Sequence, residues 1–285
     1  MYEYIFLFVI GIIWLIFATV QDLKIREVAN WLNFSLVCMA LIYRLFYSIQ
    51  IKDYSFFFIG LLGVFVFYLL SQLFYYSRFF GGGDAKLLVG FGALLPISNF
   101  KELLIYESSF ILLLLFVGAG YSLIATLFFA FKNKNKFIKS LKEGRNNINW
   151  KFYVLLFLIV YFIVGFGYDW VYGLYFFILL LFLLLLFLYL KAVEKSCMHT
   201  YVKPRNLREG DWLGEKIEFK GIQIGKSVHG LSIKDIKSLI KRNKNVLIKQ
   251  GVPFVPVFLI VYLIMLFVFF SEVDILQLFQ KVFQF

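Results

Sequence analysis

The stretch 55–100, SFFFIGLLGVFVFYLLSQLFYYSRFFGGGDAKLLVGFGALLPISNF, contains a long apolar run, a glycine-rich break and a second, shorter apolar run. The first run, 55–76, has no acidic or basic residue and is long enough for a membrane helix, for which about 17–25 residues suffice. The second, 85–100, is short and Gly-containing. Small residues let helices approach closely in lipid, so a buried helix is expected there. Between the two runs, Asp84 follows three glycines.

Working outward, the same length rule gives spans at 4–21, 32–50, 106–131, 152–168, 170–190 and 253–270. The 152–190 stretch is too long for one crossing, and GFGYDWVYG (165–173) reads as a turn at a membrane interface. Composition agrees: 62% of the 285 residues are hydrophobic and 16% are charged, where soluble domains sit near 45–50% and about 25%. This excludes an ordinary soluble enzyme, a disordered chain and a typical nucleic-acid binder. No cleavable signal peptide is expected, because the first apolar run lacks a basic lead and a small-residue cleavage pattern. Cys38 and Cys197 are too few for a disulfide framework or a four-Cys zinc site.

Net charge is +12. If loops alternate sides, one face holds 25 of the 29 Lys and Arg, the other holds Lys52, Lys101 and Lys281, and Arg44 lies within a span. The positive-inside rule then places the basic loops in the cytoplasm and both termini outside a plasma membrane. The expected fold class is an all-α polytopic membrane protein of about eight transmembrane helices, with a small α/β cytoplasmic module before the last helix. The expected divisions are a core at 1–131, a basic cytoplasmic loop at 132–151 and an additional helix pair at 152–190. The module at 191–252 and a final helix with its tail at 253–285 follow. Within the module, REGDWLGEKIEFKGIQI suggests a hairpin, LSIKDIKSLIKRN a helix and NVLIKQG a last strand. The basic runs 132–145 and 237–245 read as anionic-lipid contacts, so the lipid bilayer is an expected partner and nucleic acid is not.

Ionisable residues at or within spans are the functional candidates, because charge is costly there. Asp22 directly follows the first span and Asp84 separates the third from the fourth, at the same end in this topology. Two carboxylates that meet do not both ionise easily, so they share a proton. One then acts as base and the other as acid. Glycines at 81–83 suit an extended peptide lying close to the backbone. The blander reading makes GGGD a turn in which Asp84 caps the following helix. Lys86 reads equally as an interface anchor or as a group tuning Asp84. Lys24, Arg26 and Glu27 read as a cytoplasmic anchor with local ion pairing, and Arg44 as a snorkelling or locally paired side chain. His199 and His229 lack ligand spacing and read as surface residues. No phosphate-loop, zincin or serine-hydrolase motif is present. A proton-coupled transporter is the alternative from another class, but it would show paired interrupted helices, and only one is seen.

Taken together, D-L-K-I-R-E-V-A-N-W around Asp22, Arg26, Val28 and Asn30, and Gly81-Gly82-Gly83-Asp84-Ala85-Lys86, resemble the two signatures of the type IV prepilin peptidases. The G-x-G-D core is shared with presenilin-like intramembrane proteases. The segment NLREGDWLGEKIEF with HGLSIKDIKSLIK and VLIKQGVPFVPVFLIVYL further resembles the C-terminal region of archaeal members, which process prepilins and preflagellins (archaellins). The resemblance implies a membrane aspartyl endopeptidase removing a short basic leader. It implies Asp22 and Asp84 as the catalytic pair, Gly81 and Gly83 as loop-shaping residues, Lys86 and Arg26 as supporting ones, and no metal or cofactor. The four-Cys zinc segment of bacterial members is absent, and no methyltransferase activity is expected. Presenilin-like cleavage within the bilayer is the alternative protease reading.

Overall fold

The computed structural model describes residues 2–271 apart from 78, 216, 220, 221, 225–229, 243 and 250; His229 and the tail beyond 271 lie outside the described residues. Among the described residues, ten α-helices and five short strands follow in order. The helices are α1 (Tyr2–Ile25), α2 (Asn30–Ile51), α3 (Ser55–Tyr76), α4 (Gly82–Leu94), α5 (Phe100–Lys132), α6 (Lys134–Asn146), α7 (Trp150–Gly167), α8 (Trp170–Cys197), α9 (Ile233–Arg242) and α10 (Val255–Phe270). Six of them, α1, α2, α3, α5, α7 and α8, are long and apolar enough to cross a membrane; α10 is a shorter apolar helix. The protein is therefore a polytopic helical membrane protein.

The chain divides into two compact units, 1–122 with 253–285, and 123–252. In the first, α4 is the short helix expected from the Gly-containing run. It has 13 residues, about 20 Å at 1.5 Å per residue, against a hydrocarbon core of about 30 Å. Leu95 is already extended (φ −64°, ψ 147°), as the residue before Pro96 prefers to be. The α4 segment is thus a half-length helix that continues as non-helical chain, and its last carbonyls have no intrahelical donors.

Arg44 of α2 supplies those donors. It is fully buried, and its Nε donates to Ala93 O at 2.8 Å and its Nη2 to Leu95 O at 2.6 Å. Its Nη1 donates to Ile97 O at 3.2 Å and to Phe56 O of α3 at 3.1 Å. The Phe56 ring lies 4.5 Å from the guanidinium carbon. Reading Arg44 as a snorkelling side chain is therefore corrected: it points inward and ties α2, α3 and the end of α4 together. Two glycines bring α3 and α4 into backbone contact, since a Cβ on Gly92 would collide with the Gly63 carbonyl and one on Gly63 with the Gly92 carbonyl. The buried face of α4 includes Leu87, Leu88, Phe91 and Leu94.

In the second unit, α7 and α8 turn at Tyr168 and Asp169, inside the stretch expected to turn. Asp169 caps α8 by accepting the Val171 N–H at 3.1 Å. The 132–151 run, read as a loop, is largely helix α6. One of its faces packs on α8 through Phe137 against Tyr189 (5.7 Å between ring centres) and through the Glu143–Lys195 ion pair at 2.7 Å. The lysine-rich composition hid that face from a hydropathy reading. The strands are β1 (His199–Val202), β2 (Trp212–Leu213), β3 (Ile217–Phe219), β4 (Ile222–Ile224) and β5 (Val246–Lys249). β5 is the central strand between β1 and β2, antiparallel to both, while β3 and β4 form a separate hairpin. β1, polar in sequence, is the strand the sequence reading did not foresee. Leu207, Ile224, Leu231, Leu239, Val246 and Ile248 form this module's small core.

Arg44→Met keeps the apolar stem and removes the donors to four carbonyls. It is expected to lower stability by on the order of 3 kcal/mol or more, since each buried group left unpaired costs about 1–3 kcal/mol. Thermal unfolding in detergent micelles measures this, and an unchanged melting temperature would contradict the assigned role.

Candidate active site

Asp22 occupies the last turn of α1. The helix ends where Arg26 takes a left-handed conformation (φ 53°) and its N–H donates to Asp22 O at 2.7 Å, a C-terminal cap closed by a non-glycine residue. The chain then runs extended into α2, and the Gln21 Oε1 accepts the Ala29 N–H at 3.0 Å. The side chain of Asp22 is buried, 6% exposed.

Asp84 is the third residue of α4, after the N-cap Gly81. Its carboxyl takes a hydrogen bond from the Gly81 backbone, the return half of a capping box. The capping reading of GGGD is therefore realised in the geometry, alongside whatever else Asp84 does. None of the three glycines takes a left-handed backbone conformation. Gly81 is extended at φ −68° and ψ 164°, and the left-handed glycines among the described residues are Gly210 and Gly230, not these. A Cβ at Gly81 or Gly83 would meet its nearest neighbour at 3.4 or 3.7 Å, ordinary contact. The chain enters α4 directly, so no special backbone angle is needed. What glycine leaves is a bare, accessible backbone at 81–82.

The turn after α1 lies against the start of α4. A Cβ on Gly83 would stand 3.7 Å from Val28 N, and Lys86 Nζ donates to Asn30 Oδ1 at 2.7 Å. Lys86 thus bridges α4 to the first residue of α2. The two candidate carboxyls are electrostatic neighbours: the charge of Asp22 acts on Asp84, which is half-buried. Arg26 acts on Asp22 in turn. Sequence reasoning did not single out Gln21, Tyr121 of α5, which also feels the Asp22 charge, or the backbone at the start of α10, which donates to Asp22. Gln21 was recoverable as the neighbour of Asp22; the other two lie far along the chain. Among the described residues no group of three or more His, Cys, Asp or Glu is placed to hold a metal ion.

Residues 9–131 match the type IV leader peptidase family. That match includes both aspartate segments on which the resemblance rests. The preflagellin peptidase of Methanococcus maripaludis is 34% identical over 89 residues, 31% of this chain and 38% of that protein. The one from Methanocaldococcus jannaschii is 36% identical over 92 residues, 32% of this chain and 39% of that protein. The one from Methanococcus voltae is 26% identical over 143 residues, 47% of this chain and 61% of that protein. The chain therefore spans less than two thirds of the length of each of these leader peptidases. No solved structure matches it. Asp22, Asp84, Gly81, Gly83, Lys86 and Arg26 all fall inside the matched residues 9–131.

The placement of the α1–α2 turn can be tested by a cross-link. A Cβ at position 83 would lie 4.0 Å from Val28 Cβ, within the roughly 3.5–4.5 Å that a disulfide requires. Val28→Cys with Gly83→Cys, in a background of Cys38→Ser and Cys197→Ser, is expected to oxidise to an intramolecular disulfide, read as loss of maleimide labelling that a reductant restores. Persistent labelling of both cysteines under oxidant would contradict this geometry.

Proposed function

We propose that the protein is a membrane aspartyl endopeptidase that removes the short basic leader of prepilin-like or preflagellin proteins at the cytoplasmic membrane face. The observation that carries this reading is the pairing of Asp22 and Asp84, from two different helices, as electrostatic neighbours inside the region matching the leader peptidase family. The relatives' own names point to preflagellin as the substrate class.

The chemistry follows from two carboxyls sharing one proton. The ionised member takes a proton from water, whose oxygen attacks the scissile carbonyl carbon. The protonated member gives its proton to the carbonyl oxygen, yielding a tetrahedral diol. Collapse breaks the C–N bond: the protonated member gives its proton to the departing nitrogen, one diol hydroxyl gives its proton to the ionised member, and the pair again holds one proton. The exposed Gly82, first residue of α4, offers an extended substrate segment its N–H, which has no acceptor within the helix. Basic residues near the membrane hold the protein against anionic lipid, and the positive-inside rule puts this end of the molecule in the cytoplasm.

Asp22→Asn and Asp84→Asn are each expected to abolish cleavage of a leader-bearing substrate in isolated membranes while the protein accumulates normally; Glu3→Gln is the control with activity retained. Full activity in either aspartate variant would overturn the pair. A plain transmembrane substrate without a leader is expected to remain uncut, and its cleavage would favour the presenilin-like alternative.

A further inference from the structure

The carboxyl of Asp22 has a second partner besides Asp84. Its Oδ2 accepts the backbone N–H of Val255 at 3.0 Å, across 233 residues of sequence, with the Phe254 N–H donating beside it. Val255 is the first residue of α10, and Phe254, its N-cap, provides no side-chain cap. N–H groups at this point have no acceptor within their own helix, and the helix dipole adds positive potential there. Asp22 is therefore the cap of α10.

The start of α10 is held firmly where it meets Asp22. The Phe254 ring fills the notch at Gly118 of α5, where a Cβ would stand 2.7 Å from its Cζ. It also packs against Phe80 and Phe258, with ring centres 5.5 and 5.9 Å away. Farther along α10, Tyr262 sits over Gly11 of α1 and donates its hydroxyl to Leu7 O at 3.2 Å. So α10 is zipped along α1 and delivers its first N–H groups to the last turn of α1. These donors lie far outside the 9–131 region that matches the leader peptidases.

We propose that the N-terminus of α10 is a working part of the catalytic pair: its Val255 N–H holds Asp22 as the carboxylate and so makes Asp22 the base that activates water. The inference rests on the leader-peptidase reading above. Hydrogen bonds to a carboxylate favour its charged form, and those made by backbone N–H groups at a helix start are short and charge-assisted. Among the described residues, the titratable and charged groups facing Asp22 are Asp84 from α4, Tyr121 from α5 and Arg26 at the end of α1. Phe254 and Val255 add only their N–H groups. Val255 and Phe254 act through Asp22 and are positioning residues.

The test replaces the Val255 amide by an ester, using the α-hydroxy analogue of valine at position 255 in the full chain reconstituted in lipid nanodiscs. The ester keeps the side chain and removes the N–H. With a leader-bearing substrate protein, the acidic limb of the kcat/KM–pH profile is expected to move up by about one pH unit, from the typical strength of a hydrogen bond to a charged group. The sign follows from the base: with a donor lost, the anion is less favoured, so a higher pH is needed to ionise it. Gly118→Val, which pushes Phe254 out of its notch, is expected to shift the limb the same way. Val255→Ala, which keeps the N–H, is expected to leave it in place. An ester variant with the wild-type profile overturns the inference, as does one whose activity and melting temperature fall with no movement of the limb. If Asp22→Asn and Asp84→Asn stay active, the leader-peptidase reading fails first. If they are dead and the ester leaves the limb unmoved, only the role of α10 fails.

Discussion

The guanidinium of Arg44 is the constraint on which the first unit depends. A helix of 13 residues that stops among buried apolar side chains leaves its last carbonyls without intrahelical donors, and water does not reach them there. Arg44 closes that deficit with bonds to Ala93, Leu95 and Ile97, while its remaining bond reaches Phe56 of α3. Its charge is placed where the C-terminal end of α4 is electronegative. Without it, the break at Leu95–Pro96 would leave buried carbonyls unpaired. With it, the chain can change from helix to extended partway across and still reach α5.

The opposite end of α4 is what the arrangement serves. The Gly63–Gly92 crossing fixes α4 against α3 at backbone distance, so the helix has little freedom to slide, and the position of Asp84 follows from the rigid body behind it. Lys86 then pins the first turn to Asn30 of α2. Asp84 therefore sits on an element held at both ends, on packed helix rather than on a free loop. Asp22 is held by a different device, a helix end closed by Arg26 and a carboxyl bonded to the start of α10.

The spans and the two aspartates were legible because hydropathy and the cost of charge in lipid act locally along the chain. A run of apolar residues must be a helix, and an acid at its end stands out. Arg44 was visible as an anomaly but not as a structural element, because its partners are carbonyls and carbonyls leave no mark in a sequence. Glu107 of α5 and Asn33 of α2 are buried with side-chain atoms that make no hydrogen bond; Glu107 falls inside the 106–131 run and is marked by the same cost of charge, whereas nothing in the local sequence predicts the burial of Asn33. The α6 helix was hidden by its lysines, which masked the face carrying Phe137. The bond from Val255 to Asp22 had no local signal at all, although Pro253 and Pro256 do mark a helix start. What the sequence withheld is tertiary: which helix end meets which.

That last class of contact decides how the two acids differ. Asp22 lies in the final turn of α1, where the helix's own carbonyls disfavour negative charge. Asp84 lies in the first turn of α4, where N–H groups favour it. Judged by their own helices alone, Asp84 would carry the charge and Asp22 the proton. A third helix opposes that bias, because α10 brings its own N-terminus to Asp22, where the dipole of α1 is strongest. Arg26, at the close of α1, adds to the same side. Two acids on helix ends of opposite sign are brought nearer in energy by such a counterweight. The close packing of Tyr262 over Gly11 then has a chemical consequence as well as a structural one, since it keeps the counterweight at a fixed distance from the residue it acts on.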